Sequence, residues 1–201
     1  MQLAGQSPLE AEREAERYVF RSVELKQTAF RIDGVLLPRD DEQAPVWFVE
    51  VQFQPDEMLY HRLFSELLLF VRQNPTTHDW RVLLLFPRRS LEPQQVDLHR
   101  ELLGSDRVFR VYIEDLPAIA DLPLEIALVK LITEPQNRAV ESGRNLLQRS
   151  SQESVGSSYF AKYRDLIETI FVYKFNKLSR KEIEIMLGIA DLQNTRVYQE
   201  A

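Results

Sequence analysis

Apolar positions recur along the chain with two different periods. Residues 46–53, VWFVEVQF, are the most β-prone segment, and residues 18–26 and 29–37 are strand-like runs separated by the polar KQT. These runs predict an antiparallel hairpin and then, beyond Pro38 and the acidic RDDEQAP, a third strand. At residues 56–73, DEMLYHRLFSELLLFVRQ, the period lengthens. Leu59, Leu63, Leu67 and Phe70 recur at helical spacing, Asp56 is placed to cap, and Asn74-Pro75 stops the run. WRVLLLFP at 80–87 is short and almost wholly apolar, which reads as a central strand covered on both faces. A helix at about 91–103 and a strand at 107–114 follow. With the charged run LEAEREAER at 9–17 as an exposed first helix, the order is helix, three strands, helix, strand, helix, strand. It predicts an α/β sandwich around a mixed sheet.

Beyond Pro117 the spacing is helical throughout, at 122–132, 136–149, 158–175 and 179–189. The Ser-rich stretch 148–158, QRSSQESVGSS, is the one linker-like segment. The expected organisation is a core over residues 1–135 and a helical C-terminal extension over 136–201.

Composition narrows the chemistry. The 201 residues include no cysteine, which excludes disulfides and thiolate metal sites and leaves oxygen or histidine as the donors for any metal. This fits a reducing compartment, and a cytoplasmic location is expected. No basic-then-apolar leader and no membrane-length apolar window occur, so no membrane partner is expected. The net charge of −6 argues against a protein that coats nucleic acid, but it is unevenly placed. Residues 1–60 hold 12 acidic against 6 basic side chains, while residues 136–181 hold 9 basic against 4 acidic.

Polar groups inside two of the strands raise the chemical question. Strand alternation points Glu50 and Gln52 to one face and Trp47, Val49, Val51 and Phe53 to the other. Asp33 shares a face with Arg31 and Val35, beside Gly34, which permits close backbone approach. If the two strands are neighbours, Asp33 and Glu50 converge at one end of the sheet. Carboxylates held that close repel unless a cation bridges them, and the hard divalent ions Mg²⁺ and Mn²⁺ suit such donors. A solvated sheet face accounts for the same residues by periodicity alone.

The element order, with Asp33 on the second strand and Glu50-Val51-Gln52 on the third, resembles the PD-(D/E)XK nuclease superfamily. More narrowly, SVELKQTAFRIDG, FVEVQFQ, LSRKEIEIMLGI and DLQNTRVYQEA are similar to the bacterial recombination-promoting nuclease/transposase family, in particular its cyanobacterial members. The likeness runs from about Val19 to the C-terminus. It implies a restriction-endonuclease-like α/β/α core and a metal-dependent DNA endonuclease linked to recombination or transposition. Asp33 and Glu50 would bind the metal, and catalysis would rest on Asp33, Glu50 and Gln52. Gln52 stands where the superfamily most often has lysine; it can orient water but cannot act as a base. An acid from the first helix is common in the superfamily. Here Glu14 and Glu16 are the candidates, in a segment that looks shortened. These departures support a second expectation, an inactive relative serving as a DNA-binding or protein-interaction module. DNA is the expected partner and a homodimer is left open.

Lower in rank, Glu24 can extend the acidic cluster, and Tyr60 and Arg62 open the helix where a phosphate would pass, although Arg62 is also spaced for a surface ion pair with Glu66. His61, His78 and His99 show no paired ligand spacing and receive no metal role. Lys174, Lys177, Arg180 and Lys181 are candidate phosphate contacts, with solvated helix ends as the alternative.

Overall fold

A computed structural model describes residues 16–21, 24, 25, 30, 31, 33–39, 43–153 and 157–189. The chain divides after Ile113 into two compact units. Of the helix expected at 9–17 only Glu16 and Arg17 are among the described residues, where they form an exposed turn; Glu14 lies outside them.

The first unit is an α/β arrangement around a mixed five-stranded sheet. The strands are β1 (Tyr18–Arg21), β2 (Glu24–Leu25), β3 (Phe30–Arg31), β4 (Gly34–Pro38), β5 (Val46–Val51), β6 (Trp80–Phe86) and β7 (Val108–Tyr112). The sheet order is β1-β4-β5-β6-β7, with β2 and β3 as a separate pair. β1 and β4 pair antiparallel with Tyr18 opposite Pro38 and Arg21 opposite Val35. β2 and β3 continue the hairpin with Glu24 opposite Arg31, a register changed by one residue. The described parts of the two strands expected at 18–26 and 29–37 are β1 with β2 and β3 with β4, and the antiparallel pairing between them is kept. β4 and β5 are antiparallel, whereas β5, β6 and β7 are parallel. The parallel step from β5 to β6 is bridged by α1 (Leu59–Gln73), as parallel neighbours require a crossover.

α1 forms because Leu59, Leu63, Leu67 and Phe70 make a continuous apolar stripe, all buried. They pack on Val35, Phe48, Val82, Leu84 and Phe86, and Phe48 meets Phe70 edge to face with ring centroids 5.2 Å apart. The helix ends where Asn74 donates from its backbone and its side chain to Phe70 O, at 2.9 and 2.8 Å, just before Pro75. β6 is less enclosed than its apolar sequence predicts. Val82, Leu84 and Phe86 are buried while Arg81, Leu83 and Leu85 are only half covered. The helix expected at 91–103 is mostly turns, with 3-10 segments at Arg89–Leu91 and Asp97–His99 and one short helix, α2 (Arg100–Leu103). Pro93 removes a backbone donor there, and the polar stretch around it has no apolar stripe to bury.

The second unit is helical, with α3 (Leu124–Thr133), α4 (Gln136–Glu153), α5 (Ser157–Lys174) and α6 (Arg180–Leu187). α3, which the sequence groups with the first domain, has its buried Leu124, Ala127, Leu128 and Leu131 in the same cluster as Leu146, Leu147, Ile167, Phe171 and Ile183. Its apolar face therefore belongs to the helical core. Residues 148–153 of the expected linker are helix. Ser150 is buried with Oγ donating to Leu147 O at 2.9 Å, and Arg149 donates to the carbonyls of Ile119 and Leu122 at 3.1 and 2.9 Å. α6 begins with a capping box between Ser179 and Glu182 and ends at Gly188, whose φ of 69° is left-handed.

Gly143 sets how closely α4 approaches its neighbours, since a Cβ there would stand 2.7 Å from the Phe171 ring. Gly143→Ala is expected to destabilise the chain by about 1–3 kcal/mol through overpacking, despite the better helix propensity of alanine. Urea unfolding checks this, and an unchanged or higher midpoint would contradict it.

Candidate active site

The sheet brings two of the acids singled out in the sequence to one place. Gly34, the first residue of β4, pairs with Val49, and Asp33 stands in the bend just before it, next to the Glu50–Val51 end of β5. Val51 N–H donates to Asp33 Oδ2 at 3.4 Å. The two acids stand at the end of β5 where its parallel neighbour β6 also runs out, Val51 lying opposite Leu85. Crevices of open α/β sheets form at this carboxyl end of parallel strands.

Their surroundings differ. Asp33 is exposed, whereas Glu50 is 2% exposed because it continues the face that carries Phe48 beneath α1. A solvated sheet face therefore does not describe Glu50. Its charge is met by Arg62, one turn into α1, whose Nη2 donates to Glu50 Oε1 at 2.7 Å. Asp56, whose Oδ1 accepts from Met58 N at 2.9 Å, opens the turn before the helix and places its other oxygen 3.4 Å from the same guanidinium nitrogen.

Glu66, the next residue down that helix face, was not among the sequence candidates. The pairing expected between Arg62 and Glu66 exists, with Arg62 Nη1 3.9 Å from Glu66 Oε1, but it is not a surface pair, because Glu66 is fully buried and Arg62 lies closer to Glu50. Neither oxygen of Glu66 receives a hydrogen bond, and neither does Glu50 Oε2. The sequence held the signal, because 59, 63, 66 and 70 follow the buried spacing of α1.

Electrostatics follow from this crowding. Burial raises Glu50 above the usual carboxylate range, the bond and charge of Arg62 oppose that, and the charge of Asp33 adds to it. Burial pushes Glu66 up to about 7, Arg62 works against it, and the charges of Glu50 and Asp33 work with it. Burial would lower Arg62, but its carboxylate neighbours, Glu50 foremost, outweigh that and hold it above its ordinary value.

The remaining candidates go elsewhere. Gln52 follows β5; its backbone N–H donates to Leu85 O at 2.9 Å and its side-chain amide donates to the carbonyl of Gln54. Tyr60 is buried and turned to a different cluster, donating to Glu92 Oε1 at 2.6 Å. Glu92 also accepts from Tyr112 and, at 2.9 Å, from Arg110. Burial would raise Glu92, but these three donors together hold it below the usual range. Glu24 lies in β2, and its side chain is outside the described residues. His61 and His99, unrelated in sequence spacing, meet with Nδ1 and Nε2 3.3 Å apart.

A family model described as "Protein of unknown function (DUF2887)" matches residues 6–187. The chain belongs to the DUF2887 family. The match takes in Asp33, Glu50, Arg62 and Glu66 together with the helical unit. No curated protein and no solved structure matches the chain. Among the described residues no helix is long and apolar enough to cross a membrane.

In this DUF2887 member the C-terminal basic set divides. Lys174 is half-buried, its Nζ donating to the carbonyls of Ile132 and Glu134 at 2.9 and 2.6 Å, and burial lowers its pKa. Arg180 donates to Glu168 at 2.8 Å. Lys177 and Lys181 are exposed. Lys174 thus serves the junction of α3, α4 and α5 and has little freedom to meet a phosphate.

The buried acid gives a pH signature. Glu66 stays protonated in the folded chain up to about pH 7 but ionises near 4.5 when free. Between those values the folded state holds more protons, so stability falls as pH rises and then levels off. Urea unfolding with chelator at pH 5 and pH 8 is expected to show Glu66→Gln gaining about 2 kcal/mol on the unsubstituted chain across that interval. Parallel pH profiles for the two proteins would contradict the assignment.

Proposed function

We propose that this chain is a metal-dependent DNA endonuclease-like protein of the PD-(D/E)XK kind, hydrolysing phosphodiesters and linked to recombination or transposition, with a restriction-endonuclease-like core. The observation that carries the reading is the meeting of Asp33 and Glu50 at the end of β4 and β5, with Glu50 Oε2 buried and without a donor. The donor set is all oxygen, as Mg²⁺ or Mn²⁺ prefers. Among the described residues no group of three or more His, Cys, Asp or Glu is arranged to hold an ion. Asp33 and Glu50 would therefore supply two positions, and water and a substrate phosphate the rest.

When bound, such an ion would activate water and stabilise the charge that builds up on the phosphoryl group. The chain's own residues do the positioning. β5 fixes Glu50, and the Val51 amide orients Asp33 in the bend before β4. Gln52 can turn its amide from the Gln54 carbonyl to a water, which it orients without taking its proton. Without an ion, Arg62 balances Glu50 and keeps 30% of its side chain exposed.

The ion pair of Arg62 with Glu50 at 2.7 Å, and the engaged amide of Gln52, favour a second reading: an inactive relative that acts as a DNA-binding or protein-interaction module. Supercoiled plasmid incubated with Mg²⁺, Mn²⁺ or chelator separates the two. Nicking is expected with metal only, and Glu50→Ala is expected to lower its rate by roughly 100-fold or more, as losing a group that stabilises transition-state charge does. DNA retarded in a gel without cleavage under any ion would leave the module reading in place.

A further inference from the structure

Arg62 stands among more negative charge than it can neutralise. Its guanidinium faces Glu50 at 2.7 Å, Asp56 at 3.4 Å and Glu66 at 3.9 Å. Asp33 adds a fourth carboxylate whose charge reaches Glu50 and Glu66. Four carboxyl groups thus surround one guanidinium, so even with Glu66 protonated the acids outnumber the single cation. Three buried oxygens, Glu50 Oε2 and both of Glu66, have no donor. Buried carboxylates are ordinarily matched, because an unpaired one costs several kcal/mol, and glutamine or leucine would fill the Glu66 position at less cost.

We propose that Arg62 is a resident counter-ion exchanged at Glu50 for a divalent cation, and that Glu66 is the positioning residue that receives the arginine when the exchange occurs. This rests on the reading of Asp33 and Glu50 as the ion-holding pair. Two cations cannot share Glu50 without strong repulsion, so an ion there drives the guanidinium off. Glu66 is the acceptor at hand. It lies one helical turn away on α1, its oxygens are bare, and closing 3.9 Å by about 1 Å makes a charge-assisted hydrogen bond. The partly exposed side chain of Arg62 has room for that turn. The handover accounts for the unmatched acid: Glu66 has a partner in the loaded state and lacks one in the empty state.

The test is Mn²⁺ binding by calorimetry on the full chain at pH 8, where protons compete least. Arg62→Met is expected to bind Mn²⁺ at least about 10-fold more tightly than the unsubstituted chain, and Glu66→Gln about 10-fold more weakly, the size of effect seen when a ligand loses its supporting partner. Glu50→Gln is expected to abolish binding. A second readout needs no Arg62→Met protein. In ¹⁵N spectra of arginine Nε–H groups, with Arg62 assigned through Arg62→Lys, Mg²⁺ should shift the Arg62 signal and leave it protected from exchange, whereas in Glu66→Gln it should broaden away. Mn²⁺ binding that needs Glu50, with no tightening in Arg62→Met and no Mg²⁺ response of the Arg62 signal, would overturn the exchange and leave the metal reading intact. No Mn²⁺ binding by the unsubstituted chain or by Arg62→Met would remove the metal reading itself, and the exchange with it.

Discussion

An apolar interface that must also hold charge governs the first unit. The face of β5 that carries Phe48 into the core carries Glu50 there two residues later, and the stripe of α1 that carries Leu59, Leu63 and Phe70 carries Glu66. Neither acid can leave without a register shift, because a one-residue slip in a strand would turn Phe48 outward, and a rotation of the helix would expose its leucines. The fold thus fixes two carboxylates within reach of Arg62. Two neighbouring polar groups are arranged around that excess: Asp56 starts the helix and shares the arginine, and the Val51 amide meets Asp33.

A second polar cluster shows the contrast. Glu92 accepts from Tyr60, Tyr112 and Arg110, so its oxygens are well supplied with donors and its charge is stabilised. It ties the start of α1 to β7 and to the irregular segment between β6 and β7. A satisfied network of this kind is a structural clasp. Glu66 has no such provision, which is why the same residue type in the same unit supports different readings.

Much of this was legible in the sequence, and the gaps have physical causes. β-propensity located β5, where Val46, Trp47 and Phe48 are buried in succession, and period 3.6 located α1, which buries one apolar stripe. The neighbouring of the two strands was legible and with it the nearness of Asp33 to the end of β5, but Asp33 stands exposed in the bend before β4 while Glu50 is buried. Glu66 escaped because an Arg four residues earlier offered an ordinary surface pairing, and only its place on the leucine stripe told otherwise. Tyr60 was placed on the phosphate path from chain proximity, but its neighbour Arg62 lies about 200° further round the helix, and the two side chains serve different clusters. The helix expected at 91–103 failed on Pro93, and residues 148–153 of the linker expected at 148–158 are helix, where Arg149 reaches the carbonyls of Ile119 and Leu122, partners that no local pattern reveals.

The sign of the charge at this site constrains any role involving nucleic acid. Two like unit charges 4 Å apart repel by about 4 kcal/mol at the effective dielectric of a protein surface, so a phosphate entering beside ionised Asp33, Glu50 and Asp56 meets a barrier that one paired guanidinium cannot remove. Salt screens such exposed charges, but Glu50 and Glu66 are buried and keep most of their field. Protonation of Glu66 lightens the load by one charge and leaves the surplus in place. For a polyanion to approach the end of β5, that surplus must be offset by a cation supplied from outside or by Arg62 freed from Glu50, and under the proposed exchange the first would bring about the second.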